Sequence, residues 1–525
     1  MSRRRLRVLF FVENPAAFWR YAPLVAELAG RGHTVRLAFD HVPKGMVEEL
    51  APGVAYGPAP RRGRFDGWRP LANAVRRLAD LARYAHPRYA DASFLRERMA
   101  SAVIGDLQRR ELEPLARGRA LRLARRLAGS TDAALSERVI AAMARYDRAI
   151  PTSGEIDAFV RDERPDVVLV TPIMKAPSQV EYLKSARKAG VPTAACVKSW
   201  DQLTNRGLLR FVPERVLVWN ERQRVEAQEL HGIPPERVVA TGAQQFDEWF
   251  ERRPSTTREE FLRRVGLDPA EGYVLYLCSS PDITRPARGE RAFVESWIEA
   301  VRGSGDELLE RIGILVRPHP NPAATNQWRR ADLARFGNAV VWPSGGARPV
   351  GNEASAGFFD SLSHSEAVVG INTTSMIEAA IAGKSVLTIR APQFAQESTL
   401  HFHHLLAENG GFLHVAESLE EHAGQLARVL EHDPEDDERR RAFVQAFVRP
   451  QGLDRPATPI LADAVEETAT LPVDPFERGP LGLRAALAAE ATMSRLAMLA
   501  AAFPTRERKG FRREKAATGV RTSRA

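Results

Sequence analysis

The chain has 525 residues, more than one hydrophobic core usually organises, and its 44% hydrophobic and 27% charged residues are those of a globular protein. Its two cysteines, Cys196 and Cys278, stand in apolar strand-like runs without CxxC or Cys/His spacing. That argues against a disulfide framework and a zinc finger, and for buried thiols in a reducing cytosol. The net charge of +9 is uneven: residues 61–150 hold 20 Arg against 10 acidic residues, residues 504–525 hold 8 Lys/Arg against 2 Glu, and the remainder is acidic. Such basic segments suit anionic surfaces such as lipid head groups, or simply coat solvated helix faces.

The chain opens with Arg3, Arg4 and Arg5 before the apolar run Leu6 to Val12. The run is too short for a signal peptide, Glu13 and Asn14 end it, and no small-residue cleavage site follows. It reads as a buried strand, followed by a helix (Phe18 to Ala29), Gly30 and Gly32, and a second strand (Thr34 to Phe39). This is a βαβ unit and implies a parallel sheet. Residues 70–150 are long Arg-, Ala- and Leu-rich helical patterns, an insertion into that sheet. The α/β rhythm resumes with a helix (Ile156 to Asp162) and four strands: Asp166 to Val170, Thr193 to Val197, Arg215 to Trp219 and Val238 to Thr241.

Residues 250–272 are charged and without a strand pattern, and mark the boundary. A second α/β series follows, with strands Tyr273 to Cys278, Ile312 to Val316, Ala339 to Trp342, Ala367 to Ile371 and Ser385 to Ile389. The expected organisation is an N-terminal domain over 1–250 with a helical insertion at about 62–150, a linker over 251–272, and a second domain over 273–435. Back-crossing helices over 436–470 and a helix with a basic tail over 471–525 complete it. The last helix (residues 480–503) is apolar-rich, with Arg484 and Arg495 on one side; it suits a membrane surface, its own protein or a partner. No run of 18 uncharged apolar residues occurs, so no transmembrane helix is expected, and the protein is placed in the cytoplasm or at the inner face of the membrane.

Ligands of open α/β sheets bind beyond the carboxyl ends of the strands. In the second half, Ser279-Ser280-Pro281 offers hydroxyls and amides for a phosphate, or a turn with a helix cap. Arg317-Pro318-His319-Pro320 projects a guanidinium and an imidazole from a stiff loop, which suits an anionic phosphate leaving group. Asn372-Thr373-Thr374-Ser375 opens a helix with three hydroxyls. There Glu378 either meets ribose hydroxyls or closes a capping box with Ser375. Ala382-Gly383-Lys384-Ser385 is architecture, a helix end before a strand. In the first half, Glu13 (in Glu13-Asn14-Pro15) and Asp201 are candidates for the general base, or are caps and turn residues. Trp200 stacks on a sugar or packs, and Lys175 is a weaker candidate for an anionic acceptor.

His401, His403 and His404 lack an acidic partner at metal-ligand spacing, and the acidic run Asp433 to Glu438 reads as a helix start, so no metal site is expected. There is no Asp-x-Asp motif, no GxGxxG after the first strand and no GxxxxGK[ST], which sets back dinucleotide and P-loop readings.

The run Gly370-Ile371-Asn372-Thr373-Thr374-Ser375-Met376-Ile377-Glu378-Ala379-Ala380 with Gly383-Lys384-Ser385-Val386 resembles the donor-site signature of the glycosyltransferase-B superfamily. With His319-Pro320 it is most similar to bacterial sialyltransferases, capsule Kdo transferases and CDP-glycerol glycerophosphotransferases, although Thr-Thr-Ser replaces their paired serines. The resemblance covers roughly residues 5–60 and 155–450. It implies an α/β fold of two Rossmann-like doubly wound domains facing a cleft, with the helical insertion and C-terminal helical extension added. It implies a glycosyltransferase that needs no metal and no cofactor, its nucleotide-activated sugar being a substrate. The acceptor is then a surface glycan, a lipid-linked or anionic glycan, or another hydroxyl; nucleic acid is not expected. Ser279, Ser280, Arg317, His319, Thr373, Thr374, Ser375 and Glu378 would hold the donor nucleotide, and Asp201 or Glu13 would deprotonate the acceptor. The competing readings are a nucleotide-sugar 2-epimerase of the same fold and a non-catalytic glycan- or membrane-binding protein.

Overall fold

The computed structural model describes residues 4–13, 18–40, 52–109, 111–171, 178–281, 283, 289–346, 352–431 and 434–502. Asn14, Pro15, Lys175, Asp433 and the basic tail at 504–525 lie outside the described residues.

Seven strands form the first sheet: β1 (Arg7–Val12), β2 (Thr34–Phe39), β3 (Val54–Pro58), β4 (Val167–Val170), β5 (Thr193–Cys196), β6 (Arg215–Val218) and β7 (Val238–Ala240). Their order is β3-β2-β1-β4-β5-β6-β7, with every neighbouring pair parallel. Six strands form the second: β8 (Tyr273–Leu277), β9 (Gly313–Arg317), β10 (Ala339–Val341), β11 (Ala367–Gly370), β12 (Val386–Ile389) and β13 (His414–Ala416). They run β10-β9-β8-β11-β12-β13, again all parallel. The protein is therefore built on two doubly wound Rossmann-like domains. In each, the winding reverses once, between β1 and β4 and between β8 and β11, and the crevice of such a sheet opens at that switch point.

The central strands are buried throughout, which is why they read as unbroken apolar runs (Val-Val-Leu-Val in β4) rather than alternating ones. The strands β3 and β13 were not expected. Both are short edge strands; β3 ends in Gly-Pro and β13 begins on a half-buried histidine, so neither carries a strong apolar signal. The segment 251–272 is not a bare linker. It holds a helix (Arg258–Val265) with a Thr257–Glu260 capping box, and Phe261 and Leu262 pack in the core of the second domain with Leu275 and Leu315.

The insertion is four helices, Trp68–Tyr84, Ser93–Gln108, Pro114–Ala128 and Ala133–Ala149, around their own core. Its arginines do not all coat a solvated face: Arg62, Arg76 and Arg83 are buried. Among the helices that follow the second sheet, Pro434–Phe447 stays with that domain through Phe443, Val444 and Phe447. The next, Ala457–Thr468, crosses back, placing Leu461, Ala462 and Val465 against Val8 and Leu37 of the first sheet. The last helix (Leu481–Ala502) packs on the insertion through Leu487 and Ala491.

Candidate functional site

The loops past the carboxyl ends of the two sheets meet. Trp200, beyond β5, donates its indole N–H to Thr374 Oγ1 beyond β11 at 3.1 Å. Its ring stands edge-on to His401 with centroids 4.7 Å apart. Arg222 Nη1 donates to the His404 carbonyl at 2.8 Å, and His404 Nε2 bonds Glu226 at 2.5 Å. A bond from the Ala243 amide to the Val448 carbonyl (2.9 Å) ties the first domain to the end of the Pro434–Phe447 helix.

On the second-domain wall, four stretches approach the joint. Beyond β8, Ser279 is fully buried and its amide donates to both oxygens of Glu290, at 2.8 and 3.0 Å. The Ser279 amide, one of the groups the sequence offers to a phosphate, is thus committed to Glu290, and Ser280 is the half-buried residue of the pair. Glu290, at the start of the Glu290–Arg302 helix, has no cationic partner among the described residues; burial pushes its carboxyl up to about 8, against the bonds from Ser279 and Tyr276.

Arg317, the last residue of β9, does not project from a loop as expected. It is 6% exposed, its guanidinium lies over the rings of Trp342 (5.1 Å) and Phe358 (5.0 Å), and Nη1 donates to Ser361 Oγ at 2.9 Å. Burial brings it down to about 10. Stacked aromatic faces hold a desolvated cation without an anion, so Arg317 stiffens the wall from behind. His319, two residues on, is half-buried, and its Nδ1 accepts from the Asn321 amide at 3.1 Å. In the neutral ring the proton then sits on Nε2, which is a donor.

Beyond β11, Asn372 is buried and anchors the loop by donating to Ala395 O and Thr399 Oγ1. Thr373, Thr374 and Ser375 are half-buried. The capping box does not form: Thr374 is the N-cap and its side chain caps no amide, while Thr373 Oγ1 accepts from the Ser375 amide at 3.4 Å. Burial raises the Glu378 carboxyl above its ordinary range, against the Ser375 hydroxyl and the charge of Arg20.

On the first-domain wall, Glu13 Oε2 accepts from Lys198 Nζ at 2.7 Å. Burial lowers the Lys198 ammonium, and Glu13 pushes it back up. Arg20 Nη1 donates to the Lys198 carbonyl at 3.0 Å. Asp201 is held differently. Its two oxygens accept from Ser199 and from Asn205 (2.5 Å for the latter). Burial alone would raise this carboxyl; the charges of His401 and Arg206 and those two bonds outweigh it and bring it to about 2. Burial pulls His401 down to about 4, so its ring is neutral at neutral pH, and Arg206 and the hydrogen bonds then hold the carboxylate. A group near 2 is a weak base for a hydroxyl. Trp200, 2% exposed, packs in the joint and is no platform for a sugar ring.

Sequence reasoning missed Lys198, Arg20, Glu290 and the part His401 takes in the joint. Lys198 directly follows the apolar run of β5, so the rule that ligands gather past strand ends reaches it. The others depend on contacts between distant segments. Among the described residues no group of three or more His, Cys, Asp or Glu is arranged to hold a metal ion.

No family model matches the sequence, and no curated protein does. Solved structures with related architecture include a putative UDP-N-acetylglucosamine 2-epimerase from Listeria monocytogenes, with 14% identity over 91% of this chain and 100% of that one, at a TM-score of 0.49. A glycosyltransferase from Rickettsia africae aligns with 9% identity over 89% of this chain and 100% of that one, at 0.48. The UDP-GlcNAc 2-epimerase of Neisseria meningitidis bound to UDP-GlcNAc aligns with 12% identity over 88% and 100%, at 0.47. Likeness at this level does not assign an activity to the chain.

Proposed function

We propose that the protein is a glycosyltransferase that moves a sugar, or a sugar-like group, from a nucleotide-activated donor to a hydroxyl of a surface glycan or lipid-linked acceptor. The observation that carries this reading is the Trp200–Thr374 contact, which joins the loops past the carboxyl ends of two doubly wound sheets and so forms one cleft with two walls. In this reading the second-domain wall holds the donor: His319 Nε2–H, Ser280 and the hydroxyls of Thr373, Thr374 and Ser375 serve the phosphates, and Glu378 serves the ribose. The first-domain wall holds the acceptor. Glu13 takes the hydroxyl proton, Lys198 orients it, and Arg20 faces the leaving phosphates. Asp201, held near 2, positions the joint instead of acting as base. No metal or cofactor is needed for these steps. No helix among the described residues is long and apolar enough to cross a membrane, and work at the inner face of one fits a lipid-linked acceptor.

The test is thermal-shift binding of CMP, CDP, UDP, GDP and TDP to wild type and His319→Ala. One nucleotide should stabilise the wild type by about 2.7 kcal/mol at a hundred times its dissociation constant, and the variant by clearly less. If no nucleotide shifts the wild type, the donor-site assignment fails.

A second reading has one observation in its favour. Glu378, held above the ordinary carboxyl range, and Glu13, ion-paired with Lys198, stand on opposite walls. A carboxyl on each wall is what an epimerase needs to move a proton between the faces of a sugar. Incubation with the donor alone separates the two: an epimeric nucleotide sugar means epimerase, and an unchanged donor means that an acceptor is required.

A further inference from the structure

The C-terminal helix Leu481–Ala502 is anchored along one side only. Leu487, Ala491, Ser494 and Met498 are buried against the insertion. Gly67 approaches so closely that a Cβ there would lie 1.9 Å from the Ala491 carbonyl oxygen. With 3.6 residues per turn these four form one stripe. The opposite side carries Leu481, Ala485, Ala489, Met493 and Leu496, all exposed, with Leu481 at 77%, Met493 at 53% and Leu496 at 55%. No charged residue stands at the centre of that outer side.

The charges sit on its flanks. On one flank are Arg484 and Arg495. On the other, Glu490 is paired with Arg119 of the Pro114–Ala128 helix, and the Glu113 amide donates to Ser494 Oγ at 3.2 Å, so the start of that helix meets this flank. Its neighbouring outward stripe is Leu115, Arg119, Arg122 and Arg126, at i, i+4, i+7 and i+11, all exposed, with Leu115 at 75%. An apolar strip bordered by arginines on both sides has the make-up of a helix lying in a bilayer interface. The sequence that follows the helix adds 8 Lys/Arg against 2 Glu in residues 504–525.

We propose that this face, centred on Met493 and Leu496 and flanked by Arg122, Arg126 and Arg495, docks on an anionic lipid bilayer, with the helix lying along the surface. Charge favours lipid over a second copy of the chain. A two-fold pairing of the same face sets arginine-rich flanks near each other, whereas anionic head groups neutralise both. The inference stands apart from the transferase reading, because it concerns the outer surface of the insertion.

The test is co-sedimentation of the full chain with vesicles of phosphatidylcholine alone and of phosphatidylcholine with phosphatidylglycerol, beside light scattering of the protein without vesicles. The expected result is binding to the anionic vesicles only, weakening as salt rises. Binding should fall by about tenfold or more in the Met493→Glu/Leu496→Glu pair. Arg122→Ser and Arg126→Ser should each weaken it by about fivefold. Melting temperatures check that each variant is folded. The proposal is overturned if the wild type ignores anionic vesicles. It is also overturned if Met493→Glu/Leu496→Glu binds as the wild type does, which would leave the basic tail as the anchor. A wild-type dimer that this pair breaks overturns it too, making the face a self-association surface. None of these readouts involves a nucleotide, so failure here leaves the donor-site reading standing, and the reverse.

Discussion

Two regions of the molecule bury charge in opposite ways. Where the helical insertion meets the first sheet, buried ionisable groups come in opposed sets. Arg76 Nη2 lies 2.8 Å from Asp147 and 2.6 Å from Glu181, Arg62 Nη2 lies 2.8 Å from Glu181, and Lys184 Nζ donates to the carbonyls of Asp147 and Ile150. Burial alone would raise both carboxyls, but Arg76, together with Lys184 at Asp147 and Arg62 at Glu181, holds them below their ordinary range. In the second domain Glu290, Arg317 and His422, the last within the helix Leu419–Leu430, have no opposite charge beside them among the described residues. Burial drives Glu290 up to about 8 and His422 down to about 3, and aromatic faces hold Arg317. The first arrangement fixes how an insertion docks, because only one orientation satisfies every charge. The second leaves the Glu290 carboxyl protonated at neutral pH, so that under the proposed reading it would add no fixed anion beside a bound phosphate.

The largest break in this contrast should come from Arg76→Leu. It leaves Asp147 and Glu181 buried with less compensation and should cost about 3–5 kcal/mol, read from urea unfolding. Arg76→Leu/Glu181→Leu should cost less than the sum of the single changes, since each single change leaves an unpaired charge. Additive losses would mean that the network is not a unit.

The next effect is on pH and has opposite signs in the two regions. The folded value of Glu290 lies above its unfolded value of 4.5. The unfolded chain therefore releases this proton first as pH rises, and the group's stabilisation is full below 4.5 and declines until about 8. By pH 7 it should have fallen by roughly 3 kcal/mol. Asp147 and Glu181, with lowered folded values, lose their contribution as pH falls instead. Hydrogen exchange of β8 amides should show protection decreasing between pH 4.5 and 7 in the wild type but not in Glu290→Gln. An equal slope in both would remove Glu290 as its source.

How much of this was legible beforehand differs between the same two regions. The sheets announced themselves, because parallel strands are buried on both faces: β1 and β2 lie where the apolar runs place them, and the other central strands within a residue or so. The loops beyond them were legible only as locations. Strand-end chemistry picks out Ser279 and Arg317, but whether a side chain faces the cleft or the core depends on residues far along the chain. Glu290 claims the Ser279 amide, and Trp342 and Phe358 claim the Arg317 guanidinium. The insertion was legible as helices and not as a buried network, since an arginine paired inside and one in solvent look alike in sequence. Asp147 and Glu181 stand 71 and 105 positions from Arg76, well outside any local pattern.

A smaller change tests whether Arg317 supports the wall or binds the ligand. Arg317→Met should cost about 1–2 kcal/mol of stability through the lost contacts with Trp342 and Phe358. It should leave the stabilisation gained from nucleotide nearly as in wild type. A lost nucleotide increment with little change in the apo melting temperature would return the guanidinium to the phosphates.

The finest comparison is across the joint itself. Trp200 Nε1–H to Thr374 Oγ1 is a single neutral hydrogen bond at 3.1 Å between the two walls, and its net worth should be about 1 kcal/mol. Trp200→Phe removes the donor and keeps most of the ring against His401; Thr374→Val removes the acceptor and also a hydroxyl assigned to the donor phosphates. The two losses have different consequences. Trp200→Phe should leave nucleotide binding to the second domain nearly unchanged and loosen the joint, seen as faster exchange of the amides in residues 202–205. Thr374→Val should do both. In a double-mutant cycle on stability the coupling between them should recover about 1 kcal/mol, while the nucleotide loss follows Thr374→Val alone. Nucleotide binding that falls equally in Trp200→Phe would mean that the ligand needs both walls already closed, and that the first domain contributes to the donor site as well as to the acceptor side.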